Sequence, residues 1–118
     1  YTAGEKRTYS GVEVQESFYR YGHMKIVPSW GGSMFEFLMP TLFIDEQRYA
    51  RESLARNNRS AVDAQIAYAN ECGMPVWGMS PCAVPAGGYS EYGADPIGVE
   101  GYASGVATPH SIYANQFQ

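Results

Sequence analysis

The sequence predicts a mainly α-helical chain that carries a short β-hairpin arm at its start and a long Gly/Pro-rich loop near its end. Three observations predict this. Aromatic and β-branched residues alternate in part between 8 and 27, apolar segments with capping residues follow between 33 and 72, and glycine and proline are concentrated between 74 and 109. With 118 residues the chain has room for one core of modest size.

The arm is predicted over 8–27, either as a β-hairpin or as an irregular extended segment. Tyr21-Gly22-His23 indicates a turn, and the limb that follows it alternates until Pro28. Proline ends that limb because it has no N–H to donate to a β-ladder.

The first helix is predicted to begin after Ser33, which can act as its N-cap, and to run through 34–39 towards Phe43. Its residues are apolar nearly all round, so we expect it to be buried on every side. Pro40 is expected to kink or end it.

Two more helices are predicted on the way to Gly73. Asp45 can cap a short helix that reaches Arg56, and Asn57-Asn58 then interrupts it. A second helix is predicted over 60–72, because Ser60 and Asp63 have capping-box spacing and apolar residues recur at helical intervals up to the stop at Gly73.

The loop predicted over 74–109 contains aromatic residues, which need a surface or a ligand to pack against. Thr108-Pro109 then indicates an N-cap and the first position of a last helix. That helix has barely begun when the sequence reaches Gln118. The sequence begins at Tyr1, with neither an initiator Met nor a signal-peptide pattern. We therefore expect 1–118 to be a single partial domain of a larger protein.

Composition excludes several functions. The net charge is −4 without a run of like charges, so binding along a nucleic-acid backbone is not expected. No apolar stretch approaches the roughly 20 residues that span a bilayer, so this segment is not expected to insert into a membrane.

Cys72 and Cys82 either pair across the intervening loop or are two small buried side chains. No motif predicts a metal or another cofactor.

Several motifs resemble one family. The run 28–40, which includes Trp30-Gly31-Gly32-Ser33, resembles the signature of the bacterial glycoamylase family, as do the segments 76–81 and 108–110. The segments 4–9 and 89–93 are similar to family material as well. That family belongs to the six-hairpin, (α/α)6-barrel glycosidases, with the β-1,2-glucanases and a domain of cyclic β-1,2-glucan synthases as relatives. The resemblance implies a segment of such a barrel that acts on β-glucan or a related polysaccharide.

Glycoside hydrolysis needs two carboxyl groups, one protonated and one ionised. Glu36 lies among apolar residues, where burial would raise its pKa and suit it to be the general acid. The alternative is a structural carboxylate that is bonded to donors of the Gly31-Gly32 turn or paired with an arginine. Glu91 is the second candidate, at the site or on the surface. Some relatives carry a second acidic residue where this chain has Pro81, so that role cannot be transferred.

The remaining candidates would contact sugar. Two tryptophans each precede a glycine and either stack on a pyranose ring or pack in the core. Two tyrosines flank Glu91, one glutamate is expected to point inward on family grounds, and one histidine at the predicted last helix either contacts a substrate hydroxyl or is structural. The candidate glycan-binding residues are Trp30, Trp77, Tyr89, Tyr92, Glu16 and His110.

The expected partners are an oligo- or polysaccharide together with the remainder of the parent chain or other protein chains. A non-catalytic glycan-binding or assembly subunit is the alternative function.

Overall fold

Antiparallel strands form the first part of the chain. The structure is a computed structural model that describes residues 2–83 and 85–99. Strands β1 (Thr2–Tyr9), β2 (Val12–Tyr21) and β3 (Met24–Ile26) form an antiparallel sheet in the order β1-β2-β3. The turn predicted at Gly22 is confirmed, and Gly22 has the positive φ of +57° that a two-residue hairpin turn favours at its first central position. The arm predicted over 8–27 includes only the last two residues of β1.

The hydrophobic core lies where this sheet meets the helices. Met24 and Ile26 alternate inward on β3 and pack against small alanines of helix α3 (Leu54–Glu71). Small side chains on α3 allow strand and helix to approach closely. The other buried apolar members of this cluster are Met34, Phe37, Ala94 and Ile97.

Helix α1 is short and only partly buried. It spans Met34–Leu38 and continues as a 3-10 turn over Met39–Leu42 that contains Pro40. The predicted cap at Ser33 is confirmed, because its side chain accepts a hydrogen bond from the Glu36 N–H. The prediction that this segment is buried on every side is wrong, because Leu42 is 77% exposed and Phe43 is 80% exposed.

The helix boundaries after Asp45 differ from the prediction. Asp45 does cap a helix, α2, but α2 spans only Glu46–Tyr49. Helix α3 then runs without a break through Asn57-Asn58, so the predicted interruption and the predicted start at Ser60 are both wrong. The two asparagines remain helical because their side chains bond to other parts of the chain, Asn57 to Val27 and Asn58 to Glu46. The predicted end is confirmed, with Cys72 as the C-cap and Gly73 at φ +66°.

The Gly/Pro-rich segment contains two short ordered elements. Strands β4 (Cys82–Ala83) and β5 (Tyr89–Ser90) pair antiparallel, and a 3-10 turn spans Asp95–Ile97. Both cysteines are free, and Cys82 is exposed, so it is neither paired nor buried. The predicted cap at Thr108-Pro109 lies outside the described residues.

The predicted fold class, a mainly α segment of an (α/α)6 barrel, is wrong. The described residues hold three α-helices and several antiparallel strand pairs. Of these three helices only α3, with 18 residues, is long, since α1 ends after five residues, close to Pro40, and α2 has four. A barrel segment needs pairs of long antiparallel helices, whereas here α3 packs on β3. No helix within 2–83 and 85–99 has the length and apolar character to cross a bilayer.

Candidate functional site

A cleft of about 730 Å³ lies between α1 with its following 3-10 turn and the segment 80–91. One wall is largely apolar, with Phe35, Met39 and Leu42. The facing wall carries both apolar and polar groups. Its members are Ser80, Pro81, Tyr89 and Glu91. The cleft therefore combines apolar surface with a few polar groups, which is the usual composition of a small-molecule site.

Glu36 lies at the floor of this cleft and is held by its own loop. Its carboxylate accepts hydrogen bonds from the Gly31 N–H at 3.1 Å and from the Ser33 N–H at 3.0 Å. The hydroxyls of Ser29 and Ser33 also donate to it, each at 2.9 Å. Ser33 and Glu36 together form a capping box at the start of α1.

These bonds determine the protonation state of Glu36. Burial by itself raises the pKa of its carboxyl, but the hydrogen bonds from Ser33, Gly31 and Ser29 outweigh that effect and lower the pKa below its ordinary value. The expected rise in pKa is wrong, because apolar neighbours in sequence do not reveal how many N–H and O–H groups point at a carboxylate. The alternative prediction, a bond from a donor of the Gly31-Gly32 turn, is confirmed by the Gly31 N–H. Glu36 is ionised at neutral pH.

Glu91 is the second carboxylate that lines the cleft. It is half-buried and makes no hydrogen bond or ion pair with another residue in the described part of the chain. Tyr89 lies beside it on the same wall and is 69% exposed. The structure thus brings three of the predicted site residues, Glu36, Glu91 and Tyr89, to one cleft.

The two tryptophans lie outside the residues that line the cleft. Trp30 is 58% exposed and Trp77 is 49% exposed, so neither is packed in the core. The chain segments just after the two tryptophans are hydrogen-bonded to each other, since the Met34 N–H donates to the Met79 carbonyl at 2.8 Å.

The other candidates are not brought to the cleft by the described residues. Tyr92 is half-buried and does not line the cleft. Glu16 belongs to β2 by its backbone, and nothing further is described of it. His110 lies outside the described residues.

A close contact between two glycine-containing segments supports the floor of the cleft. The Ala94 N–H donates to the Gly32 carbonyl at 3.0 Å, and the Val99 N–H donates to the Ser29 carbonyl at 2.9 Å. A Cβ on Gly93 would lie 1.7 Å from the Gly31 carbonyl oxygen, so only glycine fits there. We call 29–33 together with 93–99 the loop junction. The sequence pattern does not predict this contact, although Gly93 and Gly98 belong to the Gly-rich segment.

Two polar side chains of α3 hold this region and were also missed. Gln65 is fully buried and bonds to Gly32 and Met79. Tyr68 donates its hydroxyl hydrogen to Asp95 at 3.1 Å. Burial raises the pKa of Asp95, against the lowering effect of that hydrogen bond. The signal for Gln65 is a polar residue on the buried face of α3, where every other buried residue except Asn58 is an alanine. No group of three or more metal-ligating side chains occurs among residues 2–83 and 85–99.

The chain is similar to one protein family and to one known protein. The family model described as "Putative glucoamylase" matches residues 2–116. The cyclic beta-(1,2)-glucan synthase NdvB of Rhizobium meliloti (strain 1021) is 33% identical to this chain over an alignment that covers 72% of the chain and 3% of that protein. The chain therefore spans a small part of the length of this relative. No solved structure matches it.

Proposed function

Because the chain belongs to the glycoamylase family, we propose that it forms part of a glycoside hydrolase or transglycosylase that acts on β-glucan or a related polysaccharide. The family and the similarity to a protein named as a cyclic beta-(1,2)-glucan synthase support a glycan-related function. Linear β-1,2-glucan is accordingly the first substrate to test.

The observation that carries this proposal is the cleft. Phe35, Met39 and Leu42 offer an apolar wall that suits the C–H faces of a sugar ring, and Tyr89 adds an exposed aromatic ring. The Ser80 hydroxyl and the Glu91 carboxylate add polar groups that suit sugar hydroxyls. A glycan that lies in the cleft would meet both kinds of surface.

We assign different roles to the two carboxylates. Acid/base catalysis of glycoside cleavage requires one protonated and one ionised carboxyl group. Glu36 suits the ionised role because its pKa is lowered. Glu91 is the candidate for proton transfer because its carboxylate is not engaged by other described residues. Of the proposed binding residues, Tyr89 lines the cleft, and Trp30 and Trp77 would contact a longer glycan outside it. Tyr92, Glu16 and His110 remain predictions from the resemblance.

The test compares three carboxylate-to-amide variants of the native full-length protein. Glu91→Gln is expected to lower the rate of β-1,2-glucan cleavage about 10²–10⁴-fold, the usual contribution of a general acid or base. Affinity for the glucan should change little, since the amide keeps the size of the side chain. Glu36→Gln tests the ionised role. Glu52→Gln is the matched control, because Glu52 is exposed and lies outside the cleft.

Reducing-end release and glucan retention in native gels measure cleavage and binding separately, with β-1,3- and β-1,4-glucans as competing substrates. Unchanged cleavage in Glu91→Gln would contradict the catalytic assignment. Absence of binding to every glucan by the wild type would contradict the glycan function itself.

A non-catalytic glycan-binding or assembly subunit is the second candidate. One observation favours it: the hydrogen bonds of the Glu36 carboxylate all come from residues 29–33, so this carboxylate is engaged in holding its own loop. Glucan binding by the wild type without any cleavage would support this alternative.

We propose further that 1–118 is a single partial domain completed by the rest of its parent chain or by other protein chains. The alignment covers only 3% of the relative. In addition, four large apolar side chains of the segment 35–44 are exposed in the described structure, although Phe37 is buried. These four are Phe35, Leu42, Phe43 and Ile44.

A further inference from the structure

A buried amide on α3 connects the two segments that form the walls of the cleft. Gln65 is fully buried. Its Oε1 accepts from the Met79 N–H at 2.7 Å, while its Nε2 donates to the Gly32 carbonyl at 2.8 Å and to the Met79 carbonyl at 3.2 Å. Both N–H groups and the oxygen of the amide are therefore used.

Each backbone partner of Gln65 directly precedes a residue of the cleft. Gly32 precedes Ser33, the N-cap of α1, and Met79 precedes Ser80 on the facing wall. The Phe35 N–H also donates to the Ser80 hydroxyl at 3.1 Å, so the two walls are joined at neighbouring points. Gln65 thus fixes where one wall lies relative to the other.

Packing alone does not explain a glutamine at this position. The other buried residues of α3 are alanines, except Asn58, which bonds to Glu46. A methionine would fill a similar volume, whereas a buried amide is costly unless all of its polar atoms are bonded. The benefit of glutamine here is the set of directional bonds to Gly32 and Met79.

We propose that Gln65 is a positioning residue for glycan recognition, which sets the spacing of the cleft walls through Gly32 and Met79 without touching the glycan. This inference rests on the proposed glycan function of the cleft. Helix α3 does not line the cleft, but through Gln65 it controls the affinity for the glycan.

The first measurement needs no glycan. Hydrogen exchange followed by mass spectrometry is recorded for Gln65→Met and wild type in the native full-length protein. Exchange in the peptide that covers 76–80 should become about tenfold faster, because the Met79 N–H loses its buried acceptor. Gln47→Met is the matched control, because Gln47 is an exposed glutamine away from the cleft. Unchanged exchange in Gln65→Met would overturn the proposal.

The second measurement is affinity for a β-1,2-glucan oligosaccharide. Gln65→Met should weaken binding about tenfold, in line with the loss of one or two buried hydrogen bonds, while Gln47→Met binds as wild type. Faster exchange with unchanged affinity would show a merely structural role and overturn this proposal alone. Absence of glucan binding by the wild type would overturn this proposal together with the proposed function.

Gln65→Glu provides a rescue that depends on pH. A protonated carboxyl group can donate one hydrogen bond to the Gly32 or Met79 carbonyl, whereas an ionised one repels both oxygens. Burial beside these carbonyls raises the pKa of the introduced group, so the protonated form and its binding should be recovered at low pH and lost as the pH rises. Glu36, Tyr68 and Asp95 on the surrounding elements are ionisable and are present in both proteins. Affinity is therefore expressed relative to wild type at each pH, so that their contribution cancels. A constant ratio would overturn the proposal.

Discussion

The loop junction and the apolar segment 35–44 differ in what holds them. Half of the residues of the loop junction are glycine or serine, and its two segments are close-packed and joined by backbone hydrogen bonds. The segment 35–44 carries large apolar side chains, and most of them are exposed. In this chain the geometry of the site is therefore fixed by backbone contacts and polar groups, whereas much of the apolar surface contributes little to the described core.

The largest effect is expected at the closest backbone contact of the loop junction. Gly93→Ala would place a methyl group 1.7 Å from the Gly31 carbonyl oxygen, and the facing atom is backbone that cannot rotate away. We expect a loss of about 4 kcal/mol in the free energy of unfolding, at the severe end for single substitutions. Urea unfolding followed by circular dichroism measures it.

Gly87→Ala is the control for this substitution. A Cβ on Gly87 meets nothing within 4 Å, and only its positive φ of +89° opposes a side chain. The expected cost is about 1 kcal/mol, from that backbone conformation alone. Equal costs for the two variants would contradict the close packing of the loop junction.

The second effect concerns the charge of Glu36, which holds residues 29–33 of the loop junction in place. Glu36→Gln replaces a carboxylate that accepts from Gly31, Ser29 and Ser33 by an amide, whose NH₂ group would face these donors. Hydrogen bonds to a charged group are worth more than neutral ones, so we expect a loss of about 2 kcal/mol at pH 7. Urea unfolding of wild type and variant measures the difference.

This loss should depend on pH in a defined direction. The pKa of Glu36 is lowered by folding, so its stabilisation is present above the unfolded pKa of about 4.3 and is lost as the pH falls through the lower folded pKa. The difference between wild type and Glu36→Gln should therefore shrink below about pH 4. A difference that stays constant down to pH 2 would contradict the lowered pKa.

Local signals in the sequence predicted several features of the fold correctly. Ser33 and Asp45 cap helices, Gly22 lies in a turn, and Gly73 ends α3. Each of these depends on residues within a few positions, where cap and turn preferences act.

The features that the sequence did not predict depend on partners far away in the chain. Asn57 looked like a helix breaker because its bond to Val27, 30 residues earlier, could not be foreseen. Gln65 looked like part of an ordinary helix face. For Glu36 one of the two predicted alternatives, a bond from a donor of the Gly31-Gly32 turn, is confirmed, whereas the rise in pKa expected from its apolar neighbours is wrong.

The link between Asn57 and Val27 provides a smaller test outside the loop junction. The Asn57 side chain accepts from the Val27 N–H at 2.8 Å and donates to the Val27 carbonyl at 3.0 Å, which attaches the end of β3 to α3. Asn57→Ala should cost about 1 kcal/mol, because both groups lie near solvent and water partly replaces the lost bonds. Thermal unfolding measures it. Asn70→Ala, at an exposed position of the same helix, should change stability by less than half of that. Equal shifts would indicate a helix-propensity effect only.

The smallest effect is expected in the apolar segment. Phe43 is 80% exposed, so Phe43→Ser should change the free energy of unfolding of the 118-residue chain by less than about 0.5 kcal/mol. The same substitution in the native full-length protein tests the proposed partial domain. If another part of the protein covers the segment 35–44, the cost should rise to about 2 kcal/mol, the value of a buried aromatic contact. Equal small costs in both proteins would mean that this surface stays open, and the proposal of a partial domain would lose the support it takes from these side chains.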